Sequence, residues 1–311
     1  MKNPLSLPAY APADDLFILS TYYNPHHFKT RLENARVFTD QLNRSGMHWL
    51  MVECAFQDQS FQLPDSDQLH RIRGNDVLWQ KERLLNLALG QIPGRFTKIA
   101  WVDNDILFEN PLWAVQASRL LEDFAVVQPF ETVTMLSPES EPFDYSGLGA
   151  VYARDPDALR SGNFEAHGHT GFAWTARRDI FERHGFYDRF VGGGADEVMA
   201  HAFGGDWDSP CLKKSTGGNA AQEAHVIPWC EKIHSAVGSK IGYVEGRALH
   251  LWHGEIQNRQ YLSRASELAA LGFDPEKDLC LTETGLWSFA PHREDLRRWA
   301  LKYFQGRKED G

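Results

Sequence analysis

The sequence of 311 residues has few cysteines, no excess of positive charge and no long apolar run. Lysine and arginine total 32 against 42 acidic residues, and this net charge of −10 argues against a nucleic-acid-binding surface. No apolar stretch approaches the roughly 18 residues of a membrane span, so we expect a soluble protein. The cysteines form no C-x-x-C pair and indicate neither a zinc framework nor a disulfide scaffold; they are Cys54, Cys211, Cys230 and Cys280.

The overall composition is typical of a globular protein, with 42% hydrophobic and 24% charged residues. The first 15 residues lack the basic and then apolar pattern of a signal peptide, and scattered cysteines are typical of a reducing compartment. We therefore expect a cytoplasmic protein. An apolar helical face over residues 293–304 predicts packing onto the domain, while its basic opposite face leaves peripheral contact with the inner membrane surface as an alternative.

The first 105 residues alternate between apolar strands and amphipathic helices. Strands are predicted over Leu16–Tyr23, 48–56 and Lys98–Val102, with one helix after Asn24-Pro25 and another over 76–89. Asn24 is predicted as the N-cap of the first helix. This order predicts an α/β fold with a mostly parallel central sheet flanked by helices on both faces. In such sheets, ligands bind beyond the carboxyl ends of the strands.

The rest of the chain is less regular. Residues 131–158 are polar and contain three prolines, and with residues 206–219 we expect them to form a flexible lid and a cavity wall. The further predicted elements are a strand over 169–176, a helix over 177–184, a helix after the glycines at 192–194, a helix over 228–237 and a final strand over 240–252.

Two aspartates directly after the third strand form the strongest local motif. Asp103 and Asp105 flank Asn104 where a strand frays into a loop, so both carboxylates can turn toward one point. Mg²⁺ and Mn²⁺ prefer such oxygen ligands and often complete their shell with substrate phosphates. The motif therefore predicts a metal site. The structural alternative is a plain turn, or Asp105 capping a helix that begins near Pro111.

Two histidines close the last predicted strand, and imidazole is a common ligand for Mn²⁺-like ions. His250 and His253 are therefore candidate metal ligands. Because side chains alternate along a strand, a continuous strand would turn these two rings to opposite faces. We therefore expect only one of them to bind.

Four further residues point to the same cleft. Asp196 and Glu197 follow three glycines at a helix start, where an acid can act as a general base or simply as a helix cap. Lys81 lies on an apolar helical stripe, from which it could reach a diphosphate or extend to water. Trp79, beside it, is a candidate for contact with a sugar.

The order of these motifs resembles the GT-A glycosyltransferase superfamily, and in particular its bacterial nucleotide-sugar transferases. The resemblance covers roughly residues 16–261. It is carried by Thr21-Tyr22-Tyr23-Asn24-Pro25, WQKERLLN at 79–86, WVDND at 101–105, GHTGFAWTARRD at 168–179, GFYDRFVGGGADEVM at 185–199 and LHLWHG at 249–254.

The resemblance implies roles for several residues. It implies that Asp103 and Asp105 bind Mn²⁺ or Mg²⁺ bridging a donor diphosphate, with His250 or His253 completing the shell. The remaining implied contacts with the nucleotide are Thr21, Tyr23, Asn24 and Glu53. Many relatives place the late acid directly after the glycines, whereas here Ala195 intervenes, which leaves the choice between Asp196 and Glu197 open.

These implications predict a metal-dependent glycosyltransferase that moves a sugar from a nucleotide-diphosphate donor, UDP-sugar by resemblance, to a glycan or glycolipid hydroxyl. Asp196 would act as the base if the reaction inverts configuration, and would orient the sugar hydroxyls if the reaction retains it. Residues 1–14 would form a tail, 15–130 a nucleotide-sugar-binding half, 131–290 the half that binds the acceptor and completes the metal site, and 291–311 a helical extension. The alternatives are a sugar nucleotidyltransferase with the same metal site and a non-catalytic carbohydrate-binding protein.

Overall fold

Residues 7–138, 140–261 and 263–311 are described by a computed structural model, so the first six residues of the predicted tail lie outside the described part. The strands are β1 Leu16–Tyr23, β2 Trp49–Phe56, β3 Leu69–Gly74, β4 Lys98–Val102, β5 Ile106–Phe108, β6 Val126–Gln128, β7 Thr132–Met135, β8 Phe143–Ser146, β9 Ala173–Arg177, β10 Ile241–Tyr243, β11 Arg247–His250, β12 Leu279–Leu281 and β13 Trp287–Phe289.

The helices are α1 Lys29–Arg44, α2 Lys81–Leu89, α3 Trp113–Leu120, α4 Leu148–Arg154, α5 Phe164–His167, α6 Arg178–His184, α7 Ala195–Phe203, α8 Pro210–Thr216, α9 Ala220–Val237, α10 Arg264–Ala270 and α11 Glu294–Gly306. Short 3₁₀ turns cover Pro156–Ser161 and Ile256–Arg259. None of the helices in the described part of the chain combines the length and apolarity needed to cross a bilayer.

A seven-stranded sheet lies at the centre, in the order β10-β6-β9-β4-β1-β2-β3. β1 runs parallel to β2 and β4, and β3 is parallel to β2, whereas β9 is antiparallel to both of its neighbours. Side chains of β1 alternate between two apolar cores, with Phe17 and Leu19 in one and Leu16 and Ile18 in the other. α2 and α7 pack in the first core and α1 and α3 in the second, so the predicted α/β fold with helices on both faces is confirmed.

A second, four-stranded sheet in the order β5-β11-β7-β8 positions the polar motifs. β5 begins directly after Asp105, and β11 pairs antiparallel with it so that His250 lies opposite Ile106. The prediction of a single strand over 240–252 is therefore wrong. This segment forms two short strands, β10 and β11, because Gly246, with its positive φ, turns the chain from the large sheet into the small one.

Two predicted helix starts are also wrong. The Asn24 side chain accepts a hydrogen bond from the Phe28 amide at 2.9 Å and closes a turn, so it does not cap α1. Instead, the Asp310 carboxylate accepts from the amides of Lys29 and Thr30 at 3.1 and 2.8 Å. The helix predicted over 76–89 begins only at Lys81, since Asp76 accepts hydrogen bonds from β13.

The middle of the chain is more regular than predicted. Residues 131–158 contain β7, β8 and α4 rather than one long loop, because β7 pairs with both β8 and β11. The strand predicted over 169–176 is β9, displaced toward the C-terminus and antiparallel. α11 buries the predicted apolar face, formed by Leu296, Trp299, Ala300, Tyr303 and Phe304.

Candidate active site

A cavity of about 100 Å³ lies at the carboxyl ends of β1 and β4, the edge at which parallel α/β sheets bind ligands. Thr21 and Tyr23 reach it from β1, and residues 103–105 reach it from the end of β4. The side-chain amide of Asn104 donates a 2.6 Å hydrogen bond from Nδ2 to the Thr21 carbonyl and thereby fixes this loop against β1. The asparagine between the two acids is therefore a buried structural link.

Asp105, His250 and His253 form a compact buried group, called here the Asp-His₂ group. Their potential ligand atoms lie within 4.8 Å of one another, and each residue is at most 4% exposed. The Asp105 Oδ2 is 3.1 Å from the His253 Nε2, and the Leu251 amide donates to the Asp105 carbonyl at 2.8 Å. Because β11 ends at His250, the expected alternation stops there. The two rings therefore do not point to opposite faces, and both lie beside Asp105, so the reason for expecting only one of them to bind no longer holds.

Burial and charge shift the pKa values of this group in opposite directions. Burial alone would raise the pKa of Asp105, but His253, His250 and Arg31 together hold it well below its usual range. Burial lowers the pKa of His250 well below its ordinary value. A carboxylate therefore faces a neutral imidazole, and these are the forms in which both side chains bind metals. The His250 Nδ1 is buried and has no hydrogen-bond partner among the described residues.

Asp103 lies outside the Asp-His₂ group and is paired with Lys81 instead. Burial raises the pKa of Asp103, and the Lys81 ammonium opposes that shift. Burial would lower the pKa of Lys81, but Asp103 and Asp196 raise it, so the ammonium stays charged in the cavity. Lys81 therefore reaches the cavity from the first turn of α2, which is one of the two outcomes that its apolar stripe left open.

Two arginines contact the Asp-His₂ group, and neither was predicted from the sequence. The Arg31 Nη1 is 3.3 Å from the Asp105 Oδ2, and the Arg259 Nη2 is 3.0 Å from the His253 Nε2. The C-terminus contributes as well, because Glu309 contacts His253 Nδ1 at 3.2 Å and Arg31 Nε at 3.5 Å. With Arg264, Arg307 and Lys81, the cavity has a cationic wall.

A second cavity of about 350 Å³ adjoins the first one. Asp196 lines both cavities, and its carboxylate packs so tightly on Gly171 that a methyl group there would overlap it. His169 also lines both, and burial lowers its pKa to about 3. The outer wall of the second cavity is largely apolar, with Met135, Tyr145, Phe164, Ile256 and Tyr261. Asp196 therefore stands between a charged chamber and an apolar one.

The structure brings most of the predicted site residues to the first cavity. Those lining it are Thr21, Tyr23, Trp79, Lys81, Asp103, Asp105, Asp196, His250 and His253. Three others lie elsewhere. Asn24 bonds within its own turn, the Glu53 carboxylate accepts from the amides of Gln62 and Leu63, and Glu197 accepts from Ser215 in the second cavity.

No protein-family model and no curated protein matches the chain. Solved structures similar to it include a Drosophila β1,4-galactosyltransferase 7 variant in complex with manganese, UDP-Gal and xylobiose. That match has 10% identity, covers 92% of this chain and 98% of the other, and has a TM-score of 0.42.

Two other similar structures are bacterial. Glucosyl-3-phosphoglycerate synthase from Mycobacterium tuberculosis, with Mn²⁺, UDP and phosphoglyceric acid, matches at 12% identity over 89% of this chain and 87% of the other, with a TM-score of 0.41. Mannosyl-3-phosphoglycerate synthase from Rubrobacter xylanophilus matches at 12% identity over 88% and 83%, with a TM-score of 0.37. These neighbours are glycosyltransferases, the class that the sequence resembles. At such scores they carry no argument about activity, which rests on the residues of the site.

Proposed function

We propose that this chain is a metal-dependent glycosyltransferase that moves a sugar from a nucleotide-diphosphate donor to an acceptor hydroxyl. The observation that carries the proposal is the convergence of Asp105, His250 and His253 beside a cationic wall, at the carboxyl end of a parallel sheet. A metal group of this kind, open to a cavity with arginines and a lysine, is suited to a ligand that carries several negative charges.

The donor set fits a divalent ion. One carboxylate and two imidazoles are ligands that Mn²⁺ accepts, and the unpartnered His250 Nδ1 is a buried nitrogen available to an ion. Asp105, His250 and His253 would hold the ion, and Asp103 remains a candidate for a further ligand. When bound, the ion would neutralise charge that develops on a departing diphosphate.

Basic side chains of the chain would bind the rest of the diphosphate. Arg31, Lys81 and Arg259 line the first cavity from three different elements, so they can contact several phosphate oxygens at once. Lys81 is already charged and half-buried beside Asp103, and an incoming phosphate would compete for that ammonium. Thr21 and Tyr23, at the end of β1, would meet the nucleotide.

Asp196 is the residue proposed to accept the proton of the acceptor hydroxyl. Its carboxylate lies at the boundary of the two cavities, where a donor in the first chamber would meet an acceptor in the second. A base at that position fits direct displacement with inversion. The aromatic side chains Tyr145, Phe164 and Tyr261 would supply faces on which an acceptor sugar can stack.

Residues 131–158 and 206–219, predicted from the sequence as lid and acceptor wall, contribute Tyr145, Cys211, Lys214 and Ser215 to the second cavity. We propose that these segments bind the acceptor. The choice of UDP as nucleotide, of a glycan or glycolipid as acceptor and of a cytoplasmic location rests on the sequence alone.

A screen of nucleotide sugars tests the activity. We expect one nucleotide sugar to release its nucleotide slowly in the presence of Mn²⁺ and not after addition of a chelator. The Asp105→Asn variant should lose this release. A matched change on the exposed α6 surface, Asp179→Asn, should keep it.

Three results would contradict the proposal. Release that is independent of metal, or equal in Asp105→Asn, would remove the Asp-His₂ group from catalysis. Consumption of a nucleoside triphosphate with a sugar 1-phosphate, with pyrophosphate released, would make the chain a nucleotidyltransferase. Calorimetric binding of sugars without Mn²⁺ and without turnover would make it a carbohydrate-binding protein.

A further inference from the structure

A second group of potential metal ligands lies beside the second cavity, which two of its members, Glu197 and Cys211, help to line. It comprises His167, Glu197, His201 and Cys211, and is called here the His₂-Cys-Glu group. One potential ligand atom from each lies within 4.8 Å of all the others. His167, His201 and Cys211 are 0%, 3% and 1% exposed, and Glu197 is half-buried. The side chains come from α5, α7 and α8, so three helices meet at this point.

Both histidines are oriented as metal ligands are. The His201 Nδ1 is 2.7 Å from the Asp206 Oδ2, and the His167 Nδ1 is 2.9 Å from the Gly168 carbonyl oxygen. Because carboxylate and carbonyl oxygens only accept, both Nδ1 atoms carry the proton and both Nε2 atoms present a lone pair. Metal-binding histidines are commonly fixed by such a hydrogen bond from the other ring nitrogen. The Ser209 amide in turn donates to Asp206 at 3.2 Å.

The lone pair of His201 is unused. Its Nε2 is buried and has no hydrogen-bond partner within the described ranges. An unsatisfied buried polar atom costs about 1–3 kcal/mol, so proteins rarely keep one without a use. The Cys211 Sγ is 3.5 Å from the His167 Nε2. Donor atoms of a tetrahedral zinc site, with bonds of about 2.0–2.3 Å, lie roughly 3.3–3.8 Å apart, so this spacing already fits.

We propose that His167, Glu197, His201 and Cys211 bind a structural Zn²⁺ ion. Two imidazole nitrogens, a thiolate and a carboxylate favour zinc, whereas Mg²⁺ and Ca²⁺ prefer oxygen ligands. Four protein ligands leave no open coordination position, which is typical of a structural site. The ion would tie α5, α7 and α8 together around the second cavity. This inference goes beyond the proposed glycosyl transfer and does not depend on it.

The site has a direct consequence for the proposed base. Asp196 precedes Glu197 in the first turn of α7, after two positive-φ glycines that leave this helix start without a side-chain cap. Zinc bound to Glu197 and His201 would clamp both ends of one helical turn, since residues four apart share a face. Zinc therefore would stabilise the backbone that presents Asp196 to the first cavity.

Cobalt titration tests the site with a readout other than activity. Metal-free protein is titrated with Co²⁺ alone, and absorption is followed for the charge-transfer band of a cobalt–thiolate bond. We expect the wild-type chain to develop that band at about one equivalent and Zn²⁺ to abolish it by displacement. Cys211→Ser should lose the band. Cys230→Ser is the matched control, because Cys230 is also fully buried but lies on α9, outside the group.

Further variants separate this site from the Asp-His₂ group and guard against misfolding. Asp105→Asn should keep the cobalt–thiolate band. Glu197→Gln, at a half-buried position, should keep the band but need about tenfold more Co²⁺. If Cys211→Ser does not fold, this shift and the wild-type spectrum decide the matter. A wild-type chain that gives no thiolate band, or a band that persists in folded Cys211→Ser, would overturn the proposal and leave a polar core cluster.

Discussion

The two groups of potential ligands each contain two buried histidines and an acid, but their surroundings differ. Around the Asp-His₂ group both charges are present, because Arg31 lies 3.3 Å from Asp105 and Arg259 3.0 Å from His253, while Glu309 lies 3.2 Å from His253. The partners of the His₂-Cys-Glu group are instead the Asp206 carboxylate, the Gly168 carbonyl and the Ser215 hydroxyl. Arginines therefore contact the first group directly, whereas these partners of the second group are neutral or acidic.

This difference shows what each group can do. Nearby cations weaken the binding of a lone metal ion, but they favour an ion that arrives together with an anion. The Asp-His₂ group also offers three ligands beside a cavity, so its remaining coordination positions can be filled by a substrate. The His₂-Cys-Glu group is complete with protein ligands. We therefore expect the first site to bind its metal with the nucleotide diphosphate and the second to hold its metal permanently.

The largest effect is expected from Asp105→Asn. Because this carboxylate is the acid of the first group, metal-dependent turnover should fall about 10³-fold or more. The change also removes a buried carboxylate whose pKa is held low and its ion pair with Arg31, so the thermal midpoint should fall as well, although Arg31 keeps Glu309 as a partner at 3.5 Å. Nucleotide release and a melting curve on the same preparation check both. A large loss of stability with activity retained would make the first group structural, like the second.

The next largest effect is expected from Asp196→Asn, compared with Glu197→Gln one residue away. Loss of the base should reduce turnover about 10²–10³-fold, while the affinity for the donor stays the same. Glu197 faces the other group, so its change should weaken zinc or cobalt binding with a much smaller effect on turnover. Steady-state kinetics with a nucleotide-binding assay separates the two. Equal turnover in Asp196→Asn and wild type would reduce Asp196 to a residue of the helix start.

A smaller effect is expected from the two histidines of the first group. Because both rings face Asp105, His250→Ala and His253→Ala should each raise the Mn²⁺ concentration for half-maximal turnover, by about 10–100-fold. This replaces the expectation, drawn from strand alternation, that only one of the two histidines binds. A manganese titration of turnover at saturating donor measures it. Negligible shifts in both variants would remove histidine from the coordination sphere.

Local patterns in the sequence were sufficient for most of the first half of the fold. The apolar run at Leu16–Tyr23 and the run at Lys98–Val102 are strands with the predicted bounds, because each is buried along its whole length. Helix starts were predicted less well. The donors at the start of α1 are satisfied by Asp310, which lies 281 residues from Lys29 in the chain, and no local pattern records such a partner.

The residues of the candidate site also divide into those that local sequence patterns predicted and those that they did not. Asp103 and Asp105 could be identified because both follow one strand, and Lys81 because a lysine interrupted an apolar stripe. Arg31, Arg259 and Glu309 could not, since each is an ordinary charged residue until the fold brings it to the cavity. The His₂-Cys-Glu group had no motif spacing either. Its ligands span residues 167–211, and the only pair at a local spacing is Glu197 and His201, four apart on α7.

The smallest effect on turnover is expected at Glu82, which also lines the first cavity and whose ionisation should act on stability instead. Burial raises the pKa of Glu82 from 4.5 to about 8, with Lys81 opposing the shift. A carboxyl with a raised folded pKa contributes stability that is complete below its unfolded pKa of 4.5, declines as the pH rises from there, and is lost above about 8. Glu82→Gln cannot ionise, so it should gain about 4 kcal/mol relative to wild type between pH 5 and pH 9. Denaturant unfolding at both pH values measures this, with the exposed Glu182→Gln as control. If the free energy of unfolding changed equally with pH in wild type and Glu82→Gln, the pKa of Glu82 would not be raised in the folded protein. Solvent or a cation would then stabilise its ionised form in the first cavity.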